Sequence, residues 1–104
     1  MRLVKEYGAS VPDKAFYARV CGRVQGVGFR YSATREAQRL GLAGWVRNAG
    51  NGDVEVWAEG PAEKLSLFLE WLRRGPRYSR VDSIKHEDEE PKGYDDFAVK
   101  YSSW

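Results

Sequence analysis

The glycine-rich segment from Gly22 to Arg30 contains the residues best suited to binding a small anion. Gly22, Gly26 and Gly28 allow the backbone to turn tightly and to approach a ligand closely. Successive N–H groups in such a turn can point inward and bind an anion. Arg30 lies where a following helix would begin, and its permanently charged guanidinium can donate two hydrogen bonds to a phosphate. On composition alone the segment predicts a phosphate site or, as in most such turns, only a tight strand-to-helix connection.

Three familiar phosphate motifs do not match this segment. No Gly-Lys-Ser/Thr follows, as a nucleotide-binding P-loop requires, and no third glycine completes a dinucleotide motif after Gly28. Eight residues separate Cys21 from Arg30, which is too long an interval for the loop of a cysteine-dependent phosphatase. Cys21 also alternates onto the strand face away from the expected core, so we interpret it as a structural residue.

The flanking sequence predicts the elements that hold this segment. Apolar and polar residues alternate over Ala15–Val24, which indicates a strand with one buried face. Apolar residues then recur at helical spacing from Phe29 to Leu40, and Gly41 stands where a helix would stop. The segment is therefore expected to connect a strand to the start of a helix, where free N–H groups and the helix dipole favour an anion.

The remaining sequence predicts two strands, a second helix and two final strands. Their expected ranges are Gly44–Asn48, Asp53–Ala58, Pro61–Arg74, Arg80–Glu87 with either a bulge or a late start, and a short strand at Phe97–Tyr101. The order β-α-β-β-α-β, which leaves room for an extra terminal strand, predicts an α+β fold. We expect a ferredoxin-like split βαβ sandwich, with two helices on one face of an antiparallel sheet of four or five strands. Residues 1–14 are expected to be a loosely ordered extension, and residues 15–104 a single domain.

Composition excludes several classes of protein. The 104 residues carry a net charge of +2, which is too small to indicate a nucleic-acid partner. The single cysteine allows no intrachain disulfide, and neither a signal peptide nor a membrane-spanning run is visible. We therefore expect a cytoplasmic monomer. The stretch from Arg19 to Arg47 nevertheless has six Arg and one Glu, a local charge of +5 that could attract a small anion.

Other residue patterns carry weaker hypotheses. His86 is the only histidine, and one His among flexible carboxylates does not have the spacing of a metal site, so we expect no metal and no cofactor. An RNA-binding module is the rival interpretation, because RNA-recognition motifs share this fold and Gln25–Ser32 imitates part of their signature. Val27 and Ser32, however, stand where that signature needs stacking aromatics. A regulatory domain that binds an anion without turnover is a third possibility.

Two motifs together resemble a known family. The run Gly22-Arg-Val-Gln-Gly-Val-Gly-Phe-Arg30 is similar to the signature of the acylphosphatases, and Gly44-Trp-Val-Arg-Asn48 followed by Asn51-Gly-Asp-Val-Glu55 resembles their second signature. The interval between the two motifs also fits. The resemblance covers the chain from about Phe16 to the C-terminus.

The resemblance implies an enzyme that hydrolyses acyl phosphates to a carboxylate and inorganic phosphate. By position, Arg30 would bind the phosphate and Asn48 would position the attacking water. The phosphate-binding backbone would comprise Gln25, Gly26, Val27, Gly28 and Phe29. Judged by residue type alone, Asn48 before a Gly-rich hairpin is a turn residue. The implied partner is a small acyl phosphate, with phosphate or sulfate able to occupy the loop, and with neither nucleic acid nor membrane.

Overall fold

The structure, a computed structural model, describes residues 13–101. Its helices and strands are β1 Lys14–Arg23, α1 Phe29–Arg39, β2 Ala43–Asn48, β3 Val54–Gly60, α2 Ala62–Arg74, β4 Arg80–Glu89 and β5 Phe97–Val99. An extension was expected over residues 1–14, and its first twelve residues lie outside the described part of the chain. Lys14, at its end, is the first residue of β1.

The five strands form one sheet in the order β4-β1-β3-β2-β5. Helix α1 packs against β2 and β5, and α2 packs against β1 and β4. The predicted ferredoxin-like arrangement is confirmed, with one difference: β5 runs parallel to β2, so the sheet is mixed. Strand β4 runs opposite to β2, and the chain reverses its direction in residues 90–96 before it forms β5 at the other edge of the sheet. Strand β5 therefore runs in the direction of β2.

The core lies between the helices and the sheet and continues to the start of α1. Phe29, the first residue of α1, is buried, and its ring centroid lies 5.8 Å from that of Trp71. Trp71 stacks on Phe68 at 6.3 Å, and Phe68 stacks on Phe16 at 6.3 Å. This row of rings joins β1, α2 and the first turn of α1, so packing fixes the point at which the glycine-rich segment becomes helical.

The predicted bulge is present where β1 pairs with β4. Cys21 pairs with Ser83, but Gly22 pairs with Val81, so the register shifts at this point. A Cβ on Gly22 would lie 2.2 Å from the carbonyl oxygen of Arg80. Gly22 is therefore required by strand packing inside β1, and the anion-binding turn begins only after it.

Candidate active site

The turn from Val24 to Gly28 connects β1 to α1 and exposes backbone N–H groups. Gly26 has φ 75° and Gly28 has φ 76°, and a Cβ at either position would meet nothing within 4 Å. Glycine is therefore favoured here by the left-handed backbone rather than by lack of space. Within residues 13–101, the N–H groups of Gly26, Val27 and Gly28 donate no hydrogen bond.

The first turn of α1 adds further free donors to this turn. Gly28 is the N-cap, so no side chain caps the helix, and the first turn contains no acidic residue. The first N–H groups of a helix have no partner within it, and the helix dipole makes this end favourable for negative charge. The turn and the helix start together can bind an anion with several oxygens.

Arg30 lies in this first turn and is half-buried. Its guanidinium carbon lies 5.4 Å from the centroid of the Tyr101 ring, and its carbonyl oxygen accepts a hydrogen bond from Thr34 Oγ1 at 2.8 Å. None of the ion pairs among the described residues involves Arg30. Its charge therefore lies beside the turn with no ion-pair partner from residues 13–101.

Asn48 is the last residue of β2 and is half-buried. Its Oδ1 atom is buried, and no donor of residues 13–101 hydrogen-bonds to it. Leaving a buried acceptor unsatisfied costs about 1–3 kcal/mol, so a polar group supplied from outside the chain would relieve this cost.

One cavity of about 220 Å³ brings the two candidate residues together. Its walls include Gly26, Gly28, Arg30 and Asn48. The other lining residues are Val24, Phe29, Tyr31, Thr34, Val99 and Tyr101. Of the predicted phosphate-binding run, Gly26, Gly28 and Phe29 thus line the cavity.

Two members of that run have side chains that serve the scaffold. Val27 packs against the hydrophobic core. Gln25 Nε2 donates to the carbonyl oxygens of Ala49, at 2.8 Å, and Asp53, at 2.9 Å. Because these carbonyls belong to the β2–β3 hairpin, Gln25 ties the glycine turn to the hairpin that carries Asn48. The glycine pattern alone gave no signal for this contact.

A network of charged side chains supports the same hairpin from the other face of the sheet. Arg19 Nε pairs with Asp53 Oδ2 at 2.7 Å, and Arg19 Nη1 pairs with Glu55 Oε2 at 3.1 Å. Arg47 Nε pairs with Glu55 Oε1 at 2.6 Å, and Tyr17 donates to Glu55 at 2.5 Å. Arg19 and Tyr17 thus hold the hairpin to β1, and Arg47 links β2 to β3 within the hairpin.

These contacts shift the pKa values of both carboxyls. Burial raises the pKa of Glu55, but hydrogen bonds from Tyr17 and Arg47 more than offset this, so the pKa lies below its usual value. The hydrogen bond from Arg19 lowers the pKa of Asp53. Both groups are therefore charged at neutral pH and act as acceptors rather than as acids.

Other candidate chemistries have no site among the described residues. Residues 13–101 contain no group of three or more His, Cys, Asp or Glu side chains that could hold a metal ion. His86 lies on β4, at the sheet edge, outside the cavity of Arg30 and Asn48. Over the same residues, no helix is long and apolar enough to cross a membrane.

Comparison with known proteins agrees with the two-motif pattern. The sequence model of the Acylphosphatase family matches residues 16–99. This chain belongs to the acylphosphatase family. An acylphosphatase of Thermococcus kodakarensis is 46% identical over 83 residues, covering 80% of this chain and 91% of that protein. One of Pseudomonas paraeruginosa is 50% identical over 84 residues, covering 81% and 92%.

Solved structures of the family share the fold. The crystal structure of acylphosphatase from Bacillus subtilis has a TM-score of 0.83 and 40% identity, covering 85% of this chain and 99% of that one. An acylphosphatase from Coxiella burnetii also has a TM-score of 0.83, at 34% identity, covering 96% and 100%. The protein is therefore an enzyme of the acylphosphatase class, a hydrolase of acyl phosphates.

Proposed function

We propose that this acylphosphatase hydrolyses its substrate by direct attack of a water molecule on phosphorus, without a covalent intermediate, metal or cofactor. The observation that carries the proposal is a cavity in which three features of residues 13–101 meet: backbone N–H groups with no acceptor among these residues, an arginine with no carboxylate partner among them, and a buried amide oxygen. The first two features suit a phosphoryl group, and the third suits a water.

The phosphoryl group lies in the glycine turn. The N–H groups of Gly26 to Gly28 and of the first helical turn donate to its oxygens, and Arg30 donates from the side. A phosphoryl transition state spreads charge over its equatorial oxygens, so donors that are already oriented stabilise it more than water would. The row of packed rings that ends at Phe29 keeps these donors in place.

The attacking water donates a hydrogen bond to Asn48 Oδ1. An amide is not a base, so Asn48 aims the water rather than ionising it. Holding a nucleophile in line can supply several kcal/mol of the barrier reduction. The substrate is already activated because its leaving group is a carboxylate, and the phosphate oxygens themselves accept the proton of the water. A pH–rate profile that required a protein group with a pKa of about 6–7, the range of histidine, would contradict this.

Hydrolysis of benzoyl phosphate tests the phosphate-binding role. Arg30→Ala is expected to lower kcat/KM by at least about a hundredfold, the size of effect seen when one oriented donor to the transition state is lost. Arg35→Ala is the matched control, because Arg35 lies on the same helix with its guanidinium 5.7 Å from the Tyr31 ring. Native-like turnover by Arg30→Ala would remove Arg30 from the site.

The same assay tests the water-positioning role. Asn48→Ala is expected to lower kcat by about a hundredfold with little change in KM, because the water is aligned for the transition state and not for substrate binding. Asn51→Ala is the control, because Asn51 lies in the same hairpin and contacts Arg19 and Asp53 rather than the cavity. Equal losses in both variants would indicate that the hairpin, and not Asn48, is responsible.

The RNA-binding alternative has a separate test. Retention of single-stranded RNA on a filter at physiological salt, in competition with inorganic phosphate, would favour it. We expect none, and we expect inorganic phosphate to inhibit hydrolysis competitively. Turnover is also expected to persist in a metal chelator.

A further inference from the structure

Thr34 on α1 lies in the wall of the active-site cavity, together with Arg30 and Asn48. Its side chain is half-buried, and Oγ1 donates a hydrogen bond of 2.8 Å to the carbonyl oxygen of Arg30, one turn earlier. Within an α-helix the same carbonyl also accepts the backbone N–H four residues later. The carbonyl therefore keeps a partner when the hydroxyl turns away, so the Thr34 O–H is available to donate to a ligand.

The proposed mechanism assigns no donor to the oxygen of the leaving group. In that mechanism the glycine turn and Arg30 contact the phosphoryl oxygens, and Asn48 holds the attacking water. When the bond between phosphorus and the bridging oxygen breaks, negative charge develops on the departing carboxylate. A hydrogen-bond donor oriented toward that charge lowers the barrier, because it stabilises the transition state more than the substrate.

The cavity wall offers a hydroxyl for this purpose. Attacking and leaving oxygens lie roughly in line, so the leaving oxygen is on the side of phosphorus away from the water. Asn48 enters the cavity from the sheet, at the end of β2, whereas Thr34 enters from the helix layer. The other side chains of the wall are the apolar Val24, Phe29 and Val99 and the exposed Tyr31 and Tyr101. Thr34 is thus the one half-buried hydroxyl that residues 13–101 place in this wall.

We propose that the Thr34 hydroxyl donates a hydrogen bond to the leaving carboxylate and is a further catalytic residue of this enzyme. The water oxygen bonds to phosphorus, the bond to the bridging oxygen breaks, and that oxygen keeps the electron pair. Thr34 transfers no proton: its hydroxyl hydrogen turns from the Arg30 carbonyl toward the bridging oxygen, and the product departs as a carboxylate. This inference rests on the proposed function, because it assumes that water attacks phosphorus from the side of Asn48.

Substrates that differ only in the acidity of the leaving acid test this role. The series is 4-nitrobenzoyl, benzoyl and 4-methoxybenzoyl phosphate, and kcat/KM is measured for the native enzyme, Thr34→Val and Thr34→Ser. Thr34→Val keeps the shape of the side chain but loses the hydroxyl. Its kcat/KM for benzoyl phosphate should fall about tenfold to a hundredfold, as expected when a hydrogen bond to a charged group is lost. Thr34→Ser keeps the hydroxyl and should stay within about threefold of the native value.

The decisive quantity is the ratio of kcat/KM for the 4-nitro substrate to that for the 4-methoxy substrate. The less acidic leaving acid needs the donor more, so Thr34→Val should slow the 4-methoxy substrate most and the 4-nitro substrate least. The ratio should therefore rise in Thr34→Val and stay native-like in Thr34→Ser. Because both rates are measured on one sample, the ratio does not depend on the fraction of enzyme that has folded.

Two further variants serve as controls. Asn48→Ala impairs the attacking water, so it should be slow with a native-like ratio, which separates a lost leaving-group donor from slow chemistry alone. Ser32→Ala removes a hydroxyl that lies on the same helix but does not line the cavity. Its kcat/KM and its ratio should both be native-like.

The outcomes distinguish this inference from the proposed function. Equal slowing of all three substrates in Thr34→Val would show that the hydroxyl only holds the first turn of α1, and would overturn the leaving-group role. Native-like kinetics in Thr34→Val would overturn it as well, and in both cases hydrolysis by the native enzyme would leave the proposed function intact. Absence of turnover of all three substrates by the native enzyme would overturn the proposed function and this inference with it.

Discussion

The roles proposed for Arg30 and Asn48 use a guanidinium and an amide. A guanidinium keeps its charge throughout the accessible range, and an amide neither gains nor loses a proton there. In the proposed mechanism, the rate enhancement therefore depends on where these groups are held rather than on a tuned pKa. Both residue types suit this purpose better than a histidine or a carboxylate, which would bring a pH limit or repel the phosphate.

Cys21 provides a prediction at the residue scale. It lies on β1, half-buried, on the sheet face opposite the helices, and it contacts Asp53. Cys21→Ser keeps a small hydrogen-bonding side chain, so kcat/KM for benzoyl phosphate should stay within about twofold of the native value. Loss of activity without loss of the fold, followed by circular dichroism, would point instead to a covalent cysteine mechanism.

The two-motif resemblance predicted Arg30 and Asn48 as site residues, and the structure places both in the wall of one cavity, while their roles stay predictions. The sequence pattern did not predict that Glu55 and Glu59 are buried. Both are acidic residues on alternate positions of a strand, a pattern typical of a solvated face, yet both are buried. A carboxylate can be buried only where other groups hydrogen-bond to it. Here those partners are distant in sequence, so a local pattern does not reveal them.

At the scale of elements, the candidate site depends on the fit between the glycine turn and the β2–β3 hairpin. The turn carries the N–H groups proposed to bind the phosphate, and the hairpin carries Asn48. Gln25 is the direct link between them, through its two hydrogen bonds to hairpin carbonyls. A shift of about 1 Å between the turn and the hairpin would misalign the water and the phosphorus.

Gln25→Met tests this link. The side chain keeps its length but loses both donors, so the turn should move relative to the hairpin and kcat for benzoyl phosphate should fall about tenfold or more. The free energy of unfolding should fall by only about 1–3 kcal/mol, as expected for lost hydrogen bonds to part-buried carbonyls. Gln38→Met is a control, because Gln38 Nε2 also donates to a backbone carbonyl, that of Phe97, at 3.2 Å. A stability loss in Gln25→Met without a kinetic effect would contradict the positioning role.

Alternation, helical spacing and the hairpin signal predicted the helices and strands seen in residues 13–101, and the irregular spacing of Val81 and Ile84 predicted a bulge or a late strand start, of which the bulge is present. The prediction of an antiparallel sheet was wrong for β5, which is parallel to β2. Three residues are too few for a periodic pattern, and their pairing depends on how the preceding segment crosses the sheet. That crossing is set by tertiary contacts and not by local propensity.

At the scale of the whole molecule, residues 90–96 connect β4 at one edge of the sheet to β5 at the other. Glu59 of β3 fixes this crossing. Its carboxylate accepts hydrogen bonds from the N–H groups of Lys92 at 2.6 Å, Gly93 at 3.0 Å and Tyr94 at 3.2 Å, and from Trp57 Nε1 at 2.8 Å. Since β5 leads to Val99 and Tyr101 in the cavity wall, Glu59 also supports the site from a distance.

Glu59→Gln should make the free energy of unfolding less dependent on pH in the acidic range. Burial raises the pKa of Glu59, but the N–H donors of Lys92, Trp57 and the next two residues more than offset this and hold it below its usual value of 4.5. A carboxyl whose pKa is lower in the folded state contributes stability above its unfolded pKa, and this is lost as pH falls through the folded pKa.

Urea unfolding at two pH values measures this contribution. At pH 7 the variant should be less stable than the native protein by about 1–3 kcal/mol, and the difference should shrink toward about pH 3. Glu87→Gln removes an exposed carboxylate from β4 and serves as the control. A difference that stays constant with pH would mean that the ionised form of Glu59 is not what holds the crossing.

Hydrolysis of benzoyl phosphate in ¹⁸O-labelled water, followed by mass spectrometry of both products, tests the attack of water on phosphorus most directly. A water aligned by Asn48 against a phosphoryl group in the glycine turn places the label in inorganic phosphate and none in benzoate. Label in benzoate would show that water attacks the carbonyl carbon, which would contradict the arrangement of Arg30, Asn48 and the glycine turn proposed for this enzyme.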